Sequence, residues 1–279
     1  MHNRLTDELA VCGLNAVRVL GETHPEKINR LFLREDRLPL FTAVCRGLAV
    51  RKRPYKLCGN EELERVCKSS HHQGVVAMII APVIEGADEN FLAAWEKSGK
   101  TGLLLCDTGN DHTIGAVIRS AAFFDAPYVV ITEPRARAAE DSAEAAGTPV
   151  SAERAPDAGD SPPARLLTTS ACRTAEGGME YVEVRSVRNP AAFLRSAGEL
   201  LVSIGIDSRA RVRIRDLSVL LAGQKKRGRI LVLGNEETGL PPRVKEQCSF
   251  LARIPGTGNI ESLGMPQTAA LFLQELYER

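Results

Sequence analysis

Continuous apolar runs dominate the second part of this 279-residue chain. GLLLCD (102–107), PYVVIT (127–132), EYVEVRSV (180–187), LLVSIGI (200–206), ILVLG (230–234) and FLARIP (250–255) each predict a strand. Helical spacing of apolar positions falls between them, over 114–124, 190–201, 241–247 and 266–277. Strands with no polar face, separated by helices, predict a parallel sheet covered on both sides. The first part alternates more weakly. Strands are expected over 28–33, 55–58 and 75–83, and helices over 38–50 and 60–67, the latter capped by Asn60 through its side-chain oxygen. The pattern therefore predicts two α/β domains, a smaller one over residues 1–95 and a larger one over 96–279. Residues 134–164 interrupt it. They are rich in Ala, Pro, Ser and acids, with Val150 the one large apolar residue, and are expected to form a flexible surface insertion.

Composition changes this picture little. Hydrophobic residues make up 44% and charged residues 25%, with a net charge of +1, so the chain as a whole is not a polyanion binder. The charge is clustered, however. Residues 27–56 carry nine Lys or Arg against two acids, and residues 209–229 carry eight against one. In RARVRIR an extended backbone would put Arg209, Arg211, Arg213 and Arg215 on one side. Together with Arg51, Lys52 and Arg53 they are candidate phosphate contacts. The seven cysteines are odd in number and form no CxxC pair, which predicts reduced thiols and no metal site. No apolar run approaches the roughly 20 residues of a membrane span, and no cleavable leader is evident, so a cytoplasmic protein is expected.

Candidate chemistry lies in three glycine-bearing turns at predicted strand ends: DTGNDHTIGAVIR (107–119), ILVLGNEETGLP (230–241) and IPGTGNIESLG (254–264). In an open parallel sheet, ligands bind at the carboxyl ends of the strands. Glycines there let the backbone turn tightly or approach a ligand closely. The GTG at 256–258 lacks the third glycine and the acid of a dinucleotide fingerprint, and no phosphate-binding GxxxxGK[ST] occurs. Glu236 and Glu237 follow a buried strand directly. Glu236 is a candidate for orienting a basic group, whereas Glu237 is expected to face solvent or to favour the next helix start.

The order Gly115-x-x-x-Arg119, Leu233-Gly234-Asn235-Glu236-x-x-Gly239, then Ile254-Pro255-x-x-Gly258-x-x-x-Ser262-Leu263 resembles the three motifs of the SpoU (TrmH) family. CGLNAVRVL (12–20) and HHQGVVAMI (71–79) resemble the small ribosomal-protein-like substrate-binding domain found at the N-terminus of many members. RTAEGGMEYV (173–182) is similar to one subgroup. The resemblance implies an S-adenosylmethionine-dependent RNA ribose 2′-O-methyltransferase of the SPOUT class. It also implies a parallel-sheet domain knotted as a trefoil, a homodimer, and rRNA or tRNA as partner. S-adenosylmethionine is then expected against Leu233, Gly234, Asn235, Gly239, Ile254, Gly256, Ser262 and Leu263. Arg119, Glu236 and Thr113 are the implied catalytic positions. Three positions depart from the family pattern: Thr113 and Gly264 stand where Asn is usual, and Pro266 where Ser is usual. These departures motivate an alternative, an RNA-binding protein of the same fold that has lost turnover.

Overall fold

The computed structural model describes residues 2–3, 7–133, 167–224 and 227–277; the predicted insertion at 134–164 lies outside them. Contacts group the chain into two compact units. One comprises residues 1–82, 110–127 and 167–183, the other residues 83–109, 128–166 and 184–279.

The first unit holds a five-stranded sheet of order β1-β2-β5-β3-β4. Its strands are β1 (His2–Asn3), β2 (Glu8–Cys12), β3 (Ile28–Leu33), β4 (Tyr55–Leu57) and β5 (Val75–Ile80). Strand β5 is central and antiparallel to both β2 and β3, while β3 and β4 run parallel. Helices α1 (Leu14–Thr23) and α2 (Leu38–Val50) bury Val17, Leu20, Phe41 and Leu48 against Leu31, Leu33, Val75 and Ala77. Helix α3 (Asn60–Cys67) covers the other face, where Leu63 and Cys67 meet Ala10, Cys12, Val76 and Met78. Asn60 does not cap this helix. Gly59 occupies the cap without a side-chain bond, and the Asn60 side-chain oxygen Oδ1 accepts from the Arg34 guanidinium instead.

Two more helices belong to this unit, α5 (Asp111–Phe123) and α6 (Thr169–Ala175). Side-chain caps start both, Asn110 accepting from His112 N–H and Thr168 from Ala171 N–H. They meet at Gly115. A Cβ there would lie 2.5 Å from the Ala171 carbonyl oxygen, so only glycine lets the backbones approach this closely. Gly115 is thus a packing glycine within α5.

The second unit is built on seven strands of order β10-β12-β9-β11-β6-β7-β8. These are β6 (Thr101–Leu105), β7 (Tyr128–Thr132), β8 (Glu183–Val187), β9 (Val202–Ile206), β10 (Val212–Arg213), β11 (Arg229–Leu233) and β12 (Phe250–Arg253). The pairs β10–β12, β12–β9, β9–β11, β11–β6 and β6–β7 are all parallel, as the unbroken apolar runs predict. Every residue of β11 is buried. Helices α4 (Glu89–Ser98), α7 (Pro190–Ala197) and α9 (Pro242–Glu246) supply Phe91, Trp95, Phe193, Leu194 and Val244 to one continuous core with Leu104, Val130, Ile230 and Val232. The short α8 (Leu217–Leu221) and the C-terminal α10 (Met265–Tyr277) complete the unit.

Candidate functional site

A cleft of about 300 Å³ opens at the carboxyl ends of β9 and β11. Three segments line it, Ile206–Arg209 at the end of β9, Leu233–Leu240 at the end of β11, and Glu261–Leu263 with Met265 and Thr268 around the start of α10, and Lys245 of α9 joins them.

The middle segment is built around Asn235. Its Nδ2 donates to the Asp107 carbonyl oxygen at 3.0 Å, while its Oδ1 accepts the N–H groups of Glu237 (2.9 Å) and Thr238 (3.2 Å). The Gly239 N–H closes the bend on the Asn235 carbonyl at 2.9 Å. Two glycines make this possible. A Cβ on Gly234 would stand 2.3 Å from the Gly239 carbonyl carbon, and Gly239 itself has φ +70°. Asp107, whose carbonyl is clasped, also sits in the left-handed region at φ +57°. The turn after β6 and the turn after β11 are therefore locked together by one amide.

The third segment leads into α10. Thr268 bonds the Gly264 and Leu263 carbonyls through its N–H and hydroxyl. Pro266 occupies the second position of α10, where a missing N–H costs nothing because the first turn leaves that donor unpaired anyway. It does not line the cleft. A Cβ on Gly264 would touch only the flexible end of Gln267.

The segment after β9 was not anticipated from sequence. Asp207 is half-buried, accepts from Arg209 N–H at 2.8 Å, and pairs with Lys245 at 2.6 Å. Burial alone would raise its pKa. The Lys245 ammonium and the backbone donor outweigh that and hold the carboxyl below its usual range. The available signal was the apolar run ending in Gly205-Ile206-Asp207, a strand end without a glycine turn after it.

Of the residues expected at a donor site, Leu233, Gly234, Asn235, Gly239, Ser262 and Leu263 line the cleft together with Glu236. Ile254 and Gly256 do not; Gly256 is exposed with open space around it. The two carboxylates do not cap the following helix, whose cap is Pro241 without a side-chain bond.

Arg119 lies on α5 in the first unit, with 58% of its side chain exposed, and its NH1 pairs with Glu176 at 3.1 Å. Thr113, six residues earlier on the same helix, is buried. His112 lies within 3.2 Å of the Ser170 and Thr174 hydroxyls of α6.

The basic segments resolve unevenly. In the first, Lys27 pairs with Glu180, Arg30 with Glu8, Arg34 with Asp36 and Lys56 with Glu62. Arg53 is half-buried. Its guanidinium donates to the Ile28 carbonyl at 2.7 Å and to Asn29. Arg51 and Lys52 remain exposed at the end of α2. In the second, Arg209, Arg211, Arg213 and Arg215 are all exposed, but the extended backbone covers only Val212–Arg213 before a 3₁₀ turn begins at Ile214. Parallel pairing with β12 ends there, and Asp216 accepts the Arg213 N–H. Arg227 is structural: it donates to the Gly198, Glu199, Leu200 and Leu201 carbonyls that follow α7. Among the described residues all seven cysteines are free, no cluster suited to a metal ion occurs, and no helix is long and apolar enough to cross a membrane.

Comparison with known proteins points to the same family. Residues 161–274 match the SpoU rRNA Methylase family, and residues 10–83 match the model described as RNA 2′-O ribose methyltransferase substrate binding. The chain belongs to the SpoU methylase family. It is 27% identical to the 23S rRNA (guanosine-2′-O-)-methyltransferase RlmB of Coxiella burnetii, over 96% of this chain and 94% of that protein. It is 28% identical to RlmB of Acinetobacter baylyi over 94% of each. The fold resembles that of the SpoU methyltransferase AviRb from Streptomyces viridochromogenes, solved with AdoMet: TM-score 0.69, 18% identity, 99% of this chain and 93% of that one.

Proposed function

We propose that the protein transfers a methyl group from S-adenosylmethionine to a ribose 2′-hydroxyl of rRNA or tRNA. The observation that carries this reading is the cleft after β9 and β11, lined by the Leu233–Gly239 bend and by Ser262–Leu263 of the family motifs. Those residues suit the donor. They offer backbone N–H and carbonyl groups in a cavity of about 300 Å³, and at Gly239 a Cβ would meet nothing within 4 Å, so there the chain presents bare backbone. Bound there, S-adenosylmethionine would supply the electrophilic methyl.

The protein's own residues handle the oxygen. In-line displacement needs the 2′-oxygen about 3 Å from the methyl carbon; the oxygen–carbon bond would form as the sulfur–methyl bond breaks, the thioether would leave, and the hydroxyl proton would pass to solvent water. A guanidinium keeps its proton under nearly all conditions, so Arg119 serves as a binder of phosphate and a stabiliser of the developing alkoxide, not as a base. Glu236 and Thr113 are proposed to orient the ribose.

Residues 1–95 are proposed as the RNA-binding domain and 96–279 as the methyltransferase domain. Arg51, Lys52, Arg209, Arg211, Arg213 and Arg215 provide phosphate contacts. A homodimer, a trefoil passage of the C-terminal chain and a cytoplasmic location complete the reading. The position of Pro266 outside the cleft favours turnover over the non-catalytic alternative.

Incubation with methyl-labelled S-adenosylmethionine and total rRNA and tRNA tests the proposal. Label should appear as 2′-O-methyl nucleotides. Tight RNA binding with neither donor binding nor label transfer would replace the enzyme with the RNA-binding alternative.

A further inference from the structure

The stretch RTAEGGMEYV takes no part in the cleft, yet it is built around Arg119. After α6 the chain turns through two consecutive left-handed residues, Glu176 at φ +48° and Gly177 at φ +95°. Gly177 has no substitute, because a Cβ would lie 2.6 Å from the Val19 side chain. Glu176 is a different case. It occupies a helix C-cap that Gly or Asn would fill with less strain. Strain retained at one residue asks for a reason beyond the turn.

The carboxylate supplies one. Its Oε1 lies 3.1 Å from Arg119 NH1, and its Oε2 accepts from Asn15 Nδ2 at 3.2 Å. The next residues seat the backbone of the same arginine: a Cβ on Gly178 would stand 3.2 Å from the Arg119 Cα. Asn15 lies in the first turn of α1, inside the segment that matches the substrate-binding model. One carboxylate thus joins that segment to the arginine.

We propose that Glu176 is a positioning residue. It holds the Arg119 guanidinium in the orientation that receives the ribose oxygen and its phosphate, and it couples that orientation to Asn15. This rests on the role given to Arg119 above. A guanidinium has five donors, and one arm on Glu176 leaves the others for substrate. With 58% and 39% of the two side chains exposed, the pair contributes little to folding. Its effect is to restrict the rotamers of a long side chain.

The experiment uses the full chain and four variants. Glu176→Gly removes the carboxylate and also relieves the left-handed strain. Its melting temperature should equal or exceed that of the parent, while kcat falls about five- to tenfold with an unchanged KM for S-adenosylmethionine. Glu176→Asp, which keeps the charge on a shorter arm, should recover part of the rate. In an Arg119→Lys background, Glu176→Gly should add no further loss. If Arg119→Lys alone transfers methyl at the parental rate, the assignment of Arg119 fails and this inference with it. If Arg119→Lys is slow but Glu176→Gly matches the parent, the positioning role alone is overturned. A parallel loss of melting temperature and rate in Glu176→Gly would also overturn it, by making the residue structural.

Discussion

Replacing Asn235 by Asp changes one group in the site and little else. The shape is kept, and the carboxylate still accepts the N–H groups of Glu237 and Thr238. The Nδ2 donor, 3.0 Å from the Asp107 carbonyl, becomes an oxygen facing another oxygen. A half-buried carbonyl left without its donor costs about 1–3 kcal/mol. The two accepted bonds, now made to a charged group, offset part of this. The net is about 1–2 kcal/mol against the closed arrangement, in which Asp107 must also hold φ +57°. If the donor binds only that arrangement, S-adenosylmethionine should bind about 5- to 30-fold more weakly, since 1.4 kcal/mol is a factor of ten. Asn235→Ala gives up all three bonds and should cost more, about 2–4 kcal/mol. Titration calorimetry at fixed pH gives the affinities, and denaturant melts give the stabilities. The expected order is parent, then Asp, then Ala. An Asp variant that binds the donor as tightly as the parent would refute the clasp as the element that shapes the cleft.

Other consequences are as direct. Gly115→Ala places a Cβ 2.5 Å from the Ala171 carbonyl oxygen, and should cost about 1–3 kcal/mol, read as a lowered melting temperature. His72 is buried and accepts the Gly74 N–H on Nδ1, and burial holds its pKa below the ordinary value of about 6.5. The unfolded chain therefore binds a proton first. Stability should be complete above about pH 6.5 and fall as pH drops through the folded-state pKa, and His72→Asn, which keeps an acceptor without titrating, should flatten that slope in melts across pH 5–7. Lys245→Met leaves the half-buried Asp207 with only its backbone donor and should cost about 1 kcal/mol at pH 7. Because the carboxyl pKa is depressed in the folded state, the parent's advantage should persist above the ordinary carboxylate range near pH 4 and vanish as pH falls through the folded value.

The sheet of the second unit was legible because nothing competes with its signal: Leu103–Leu105, Val129–Ile131 and Ile230–Leu233 are buried on both faces. What escaped did so for physical reasons. Strand β2 opens with Glu8, whose burial depends on Arg30 far along the chain, so its sequence ELAVC shows no strand alternation. Helix α6, TSACRTA, packs through small residues onto a glycine, and small-on-small packing leaves no hydrophobic period to detect. The arginine stretch 209–215 alternates in exposure as expected, yet a 3₁₀ turn ends its strand after two residues. At the site, the Leu233–Gly239 bend was readable from its two glycines. The contribution of Asp207 and Lys245 was not, because a distant helix brings the lysine to the strand end.

The seam between α5 and α6 has a consequence for variation. Bulk elsewhere in the core is interchangeable within limits, because neighbouring chains of similar volume can repack. Where two main chains touch through Gly115 there is no side chain left to yield, so a single extra carbon must move a whole helix. That helix ends in the elbow bearing Glu176. Drift in catalytic rate among related sequences should accordingly follow the size of the residue at this crossing, even where every group that meets substrate is the same.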